Sequence, residues 1–130
     1  MSNPPRERGT AWERRVVDHA QAAGLPWERA PLRGTQDLLD VQGCLPDGWL
    51  VGCKAISRRG NLADRMSRAM AEAQTALLRV KLMWPRVQAD DVVPVQVVQK
   101  QGKPVGEAYV VMEYDDFLAL VLERRKWRGQ

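Results

Sequence analysis

Histidine occurs once in this 130-residue chain, cysteine twice, and aromatic residues make up only 6% of it. Each shortage excludes something. His19 stands alone, and Cys44 and Cys53 lack the paired spacing of zinc ligands, so no zinc centre is expected. Two cysteines cannot form a disulfide framework either, and both read as small, half-buried strand residues. No run approaches the roughly 20 apolar residues that cross a bilayer. The first eight residues, Met1 to Arg8, lack the apolar stretch of a secretory leader, so a soluble, cytoplasmic protein is expected. No Gly-rich phosphate loop precedes a helix, and nucleotide-cofactor chemistry therefore has no motif. There is no internal repeat or low-complexity tract.

What is present suits one globular domain over residues 1–130, with residues 1–8 as a flexible, charged lead-in. Hydrophobic residues reach 45%, and the net charge is +4. Arginines outnumber lysines fifteen to five. The guanidinium fork matches phosphate, which favours a nucleic-acid partner; Arg-rich codon usage explains the same bias without function.

The periodicity predicts a helix from Thr10 to Ala23, with Glu13 at the capping-box position, stopped by Gly24-Leu25-Pro26. Trp12, Val16, Val17, Ala20 and Ala23 define its buried face. A short strand covers residues 27–30. Residues 37–41 and 49–56 flank Pro46-Asp47-Gly48 as a β-hairpin. Asn61 caps a helix from Leu62 to about Leu82, whose apolar face carries Leu62, Met66, Ala69, Met70, Ala73, Leu77 and Val80. Strands at 92–99 and 108–112 and a helix at 115–125 complete an α-β-β-β-α-β-β-α order. The expected class is α/β, a mixed sheet flanked by helices.

The hairpin carries the sharpest expectation. A three-residue Pro-Asp-Gly loop with a left-handed glycine pairs Leu45 with Trp49, Gln42 with Gly52, and Asp40 with Lys54. Alternation then sets Asp40, Gly52 and Lys54 on one face. A cross-strand ion pair explains Asp40 and Lys54 without function. Three features add weight to a site. Glu13 shares a helix face with Val17 and Ala20 and points towards the sheet, where a carboxylate needs a partner or a metal. Arg33-Gly34-Thr35 is a basic loop. Arg58, Arg59, Arg65 and Arg68 cluster around Lys54 as phosphate contacts, although a solvated charged face accounts for each singly.

Together these pieces resemble the PD-(D/E)XK nucleases, and most closely the Holliday junction resolvases of archaeal type and their phage relatives. The similar segments are Gly9-Thr10-Ala11-Trp12-Glu13-Arg14, Leu39-Asp40-Val41 and Gly52-Cys53-Lys54, with Gln74 in the following helix. The resemblance implies a restriction-endonuclease-like α-β-β-β-α-β core and Mg²⁺- or Mn²⁺-dependent cleavage of DNA, acting as a homodimer on branched substrates. It implies Asp40 as principal metal ligand, the Cys53 carbonyl and Glu13 as further ligands, Lys54 as catalytic lysine, and Gln74 as a positioning group. The departure is Gly52, where the family has Glu or Asp. A glycine supplies no ligand, so metal binding is expected to weaken, and a DNA-binding module that does not cut is the alternative. Glu72 reads as a surface ion-pair residue beside Arg68 and Arg79, with a migrated ligand as its other reading; Asp37 is a similarly weak substitute. The basic end Glu123 to Arg128 reads as a solubilising helix terminus or a phosphate grip.

Overall fold

Two prolines open the first helix, where a missing N–H costs nothing and a fixed φ is an advantage. In the computed structural model, which describes residues 4–30, 39–55, 61–83 and 91–129, this helix (α1) spans Pro4–Ala22. It therefore starts well before Thr10, which lies inside it and forms no cap. Gly24, at φ 101°, closes its end while its N–H donates to the Gln21 carbonyl.

The remaining elements are β1 (Glu28–Arg29), β2 (Val41–Gln42), β3 (Trp49–Lys54), α2 (Leu62–Met83), β4 (Val93–Val98), β5 (Tyr109–Val111) and α3 (Tyr114–Trp127). Asn61 caps α2 as expected, its Oδ1 accepting from the Asp64 N–H at 2.8 Å. The sheet has the order β3-β4-β5, with β3 and β4 parallel and β4 and β5 antiparallel. A parallel pair needs a long crossover, and α2 supplies it. Pro94 lies in the middle strand, but β5 reaches only Gln96–Val98, so Pro94 sits where β4 has a single neighbour.

The expected hairpin is not formed. Leu45–Asp47 make a short 3-10 turn rather than a two-strand loop, and β2 pairs antiparallel with β1, Arg29 opposite Val41. The pairings of Gln42 with Gly52 and Asp40 with Lys54 are thus replaced. Ala30 N–H donates to the Asp40 carbonyl at 2.9 Å, continuing the small ladder.

Helices cover both faces of the larger sheet, so the class is α/β with a mixed sheet between helices. On one face Trp12, Val16 and Val17 of α1 bury Val51, Cys53 and Val95. On the other, Ala76 and Val80 of α2 bury Leu50 and Val92. Side chains along β3 alternate accordingly: Val51 and Cys53 towards α1, Leu50 and Gly52 towards α2. Trp12 fastens the first layer, being 2% exposed and donating from Nε1 to the Val97 carbonyl at 3.1 Å. Replacing Trp12 with Ala removes that bond and the largest side chain of this layer. A loss of about 3–5 kcal/mol in unfolding free energy is expected by urea denaturation; a loss below about 1 kcal/mol would show that α1 is not held through this residue.

Candidate active site

Among the described residues β3 pairs with β4 along one side only, and a cleft of about 630 Å³ opens along its other edge between α1 and α2. Gly9 and Glu13 of α1, Leu39 and Asp40, Cys53 and Lys54 of β3, and Glu72, Thr75 and Arg79 of α2 line it. Three residues expected to act together, Glu13, Asp40 and Lys54, therefore share one cleft. They reach it differently from the expectation. The Asp40 carboxylate approaches the edge of β3 end-on, Oδ2 accepting from the Cys53 N–H at 2.8 Å. Glu13 meets it from the α1 side, while Lys54 projects towards α2 and pairs with Glu72. At the end of β3 the two sides of the strand open into the same cleft, lined by Cys53 and Lys54.

Leu39, immediately before Asp40, has φ 90°. A bulky residue in that region is strained by about 1–3 kcal/mol and persists only where its surroundings hold it. Here its side chain packs against the core beneath α2 while the next side chain crosses to the edge of β3. The strain accompanies the placement of Asp40.

Glu13 has no capping role. Its Oε2 accepts from Arg29 at 3.3 Å, and its side chain is only 17% exposed. Burial first, then the charge of the neighbouring Asp40, push its carboxyl above the usual range; Arg29 acts in the opposite direction and does not reverse it. Burial, then Asp40 and Glu13, drive the Cys53 thiol far up as well, so it is no nucleophile at neutral pH.

Gly52 is where packing speaks most clearly. A Cβ there would overlap Oε1 of Gln96 and stand 2.7 Å from its Cδ and 2.9 Å from its Nε2. Gln96 is its register partner on β4, fully buried, and its Nε2 donates to the Ala69 carbonyl of α2 at 2.9 Å. The amide is the end of a flexible side chain, but burial and that bond leave it little room to swing. Gln96 occupies the volume that an acidic residue at 52 would need, so the glycine has a structural cause. Sequence reasoning missed Gln96; the signal was a single polar residue within the apolar run Val92-Val93-Pro94-Val95-Gln96-Val97-Val98.

Gln74 does not join the cleft; it lines a different one with Leu77, Lys81 and Tyr114. Of the expected phosphate contacts, Arg68 is exposed and Arg65 half-buried on α2, whereas Arg33, Arg58 and Arg59 lie outside the described residues, as does Asp37. Glu72 forms an ion pair with Lys54 across the cleft, where the expected partners were its helix neighbours Arg68 and Arg79; Arg79 lines the cleft two turns further on. Among the described residues no three His, Cys, Asp or Glu side chains converge closely enough to enclose a metal ion. Glu13 and Asp40 nonetheless offer hard oxygen ligands side by side, and Mg²⁺ commonly binds through one or two carboxylates while keeping several waters. The pair fits a weakly held, water-rich cation.

No family model, characterised protein or solved structure matches the chain.

Two expectations follow. Gly52→Ala should cost about 1–3 kcal/mol by overpacking, and Gln96→Gly introduced beside it should recover part of the loss in thermal melts; a neutral Gly52→Ala would contradict the interlock. Glu13 binds a proton more readily in the folded chain, so stability falls as pH rises from its ordinary value of 4.5 through the raised one. Glu13→Gln should therefore melt higher than the native protein at pH 7 and converge with it below about pH 4. A native protein more stable at pH 7 would mean that Arg29 outweighs burial and Asp40.

Proposed function

We propose that the protein is a divalent-metal-dependent DNA endonuclease on a restriction-endonuclease-like core, with its site in the cleft along β3. The observation that carries this reading is one cleft at the end of β3 that the Glu13–Asp40 carboxylate pair lines from the α1 side and Lys54 from the α2 side. Two adjacent carboxylates, with Glu13 raised by burial and by its neighbour, suit a cation, and an ammonium lining the same cleft suits the phosphate that the cation would bring.

Glu13 and Asp40 would hold Mg²⁺ or Mn²⁺, which when bound polarises a scissile phosphodiester and makes a coordinated water acidic. The chain's own groups do the rest. The Cys53 N–H fixes one oxygen of Asp40 and leaves the other for the cleft. Arg29 holds Glu13 in place from behind. Lys54 is half-exposed in its pair with Glu72, and such pairs contribute only about 0–1 kcal/mol, so an incoming phosphate can take Lys54 over. Arg79 and Arg68 extend positive charge along α2 from the cleft. Branched DNA is the substrate class that the resemblance of Gly9–Arg14, Leu39–Val41 and Gly52–Lys54 to junction resolvases favours.

A second reading, a DNA-binding module that does not cut, is favoured by the Gly52–Gln96 interlock, which removes one carboxylate from the usual set. Labelled junction, flap and duplex DNA, incubated with Mg²⁺ or Mn²⁺, separate the two. Cleavage by the native protein, lowered by about 10²-fold or more in Asp40→Asn, is the expected result. Retarded mobility at low salt without any cutting would establish the second reading in its place. In that case the double replacement Gly52→Glu with Gln96→Gly, and not Gly52→Glu alone, is the variant expected to gain activity. Failure of every form to bind DNA at low salt would end both readings, because phosphate contacts are strongest there.

A further inference from the structure

Helix α3 buries none of its 14 residues. Isolated helices shorter than about 12–15 residues are marginal in water, and most helical stability in proteins comes from packing an apolar face. α3 has such a face. Tyr114, Phe117, Leu118, Val121 and Leu122 recur at i, i+3, i+4, i+7 and i+8, the spacing of one helical stripe. Within that stripe Phe117 is 51% exposed, Leu118 40%, Val121 39% and Leu122 59%.

The arrangement of the stripe and its charges is its own complement. Reversing the direction of the helix about the midpoint between Ala119 and Leu120 exchanges Leu118 with Val121, Phe117 with Leu122, and Tyr114 with Arg125. At about 100° per residue, Asp115 and Lys126 fall on one flank of the stripe, and Glu113 and Arg124 on the other. In an antiparallel pair about a two-fold axis, each flank meets its own counterpart. Asp115 then faces Lys126 of the second helix, and Glu113 faces Arg124. Glu113 at the N-cap and Asp115 in the first turn, with Arg124 and Lys126 in the last, also suit the helix dipole and become four intermolecular ion pairs.

We infer that α3 is a homodimerisation helix, pairing antiparallel with α3 of a second copy of this chain through the Tyr114–Leu122 stripe. Arg124 and Lys126, on this inference, are interface flanks and not phosphate contacts.

Light scattering coupled to size exclusion, on the full chain at tens of micromolar, tests it. The native protein should elute at about twice its 14.7 kDa chain mass. Leu118→Glu combined with Val121→Glu should give monomer, with the melting of the α1–sheet–α2 body retained. Asp115→Lys should weaken the dimer at least tenfold in low salt, and Lys126→Asp added to it should restore most of the loss. A native monomer at 100 µM would overturn the inference and leave the stripe to a different partner. A dimer indifferent to the Leu118 and Val121 replacements would overturn it too, as would a charge-reversed pair that fails to recover. None of these readings depends on DNA cleavage, so the outcome stands apart from that of the active-site proposal.

Discussion

The cleft depends on one hydrogen bond, from the Cys53 N–H on the open edge of β3 to the Asp40 carboxylate. An edge strand presents unpaired backbone donors, and here a side chain answers one of them in place of another strand. Because the acceptor is charged, the bond is worth more than an ordinary backbone pair, about 1.5–3 kcal/mol. It fixes Asp40 at the point where α1 brings Glu13 and where the β3 backbone turns Lys54 towards α2. The Ala30 N–H on the Asp40 carbonyl and the burial of Val41 against Val51 and Cys53 hold the backbone around it, so the bond acts chiefly on where the Asp40 carboxylate points.

The two sides of β3 carry different constraints that converge at its end. Towards α1, burial and repulsion raise the cost of charging Glu13, with Arg29 as partial compensation. Towards α2, small residues let the helix approach closely: Ala69, Ala73 and Ala76 are all buried, and Gln96 reaches across to the Ala69 carbonyl. That close approach is what leaves only glycine at position 52. The glycine at position 52 and the tight α2 contact are one feature of the packing, seen from the cleft and from the core.

Much of this was legible in the sequence. The helices follow from apolar spacing and from Asn61 and Gly24 as signals, and β4 and β5 from short apolar runs around a turn. Glu13, Asp40 and Lys54 do line one cleft, but the shared strand face expected for Asp40 and Lys54 is not formed: Asp40 meets the edge of β3 and Lys54 projects towards α2. Pro46-Asp47-Gly48 reads as a hairpin loop, and Gly48 does take a left-handed conformation at φ 86°, but the chain before it turns to β1. Local turn chemistry does not say which neighbour a two-residue strand will choose. Gln96 was illegible for a related reason: its meaning lies in a parallel register with a residue 44 positions earlier, which no local pattern encodes. The start of α1 was missed because Thr10 is a good cap, and the prolines before it are equally good first-turn residues.

The central claim is that Glu13 and Asp40 form a cation site at the edge of β3. Titration of ¹⁵N-labelled protein with Mn²⁺, followed by paramagnetic broadening of amide signals, tests it without any substrate. The account predicts that the amides of Glu13, Asp40, Cys53 and Lys54 broaden first, and that Asp40→Asn abolishes this early loss. Broadening that begins at Asp115 and Asp116, or spreads evenly over the acidic surface, would contradict it.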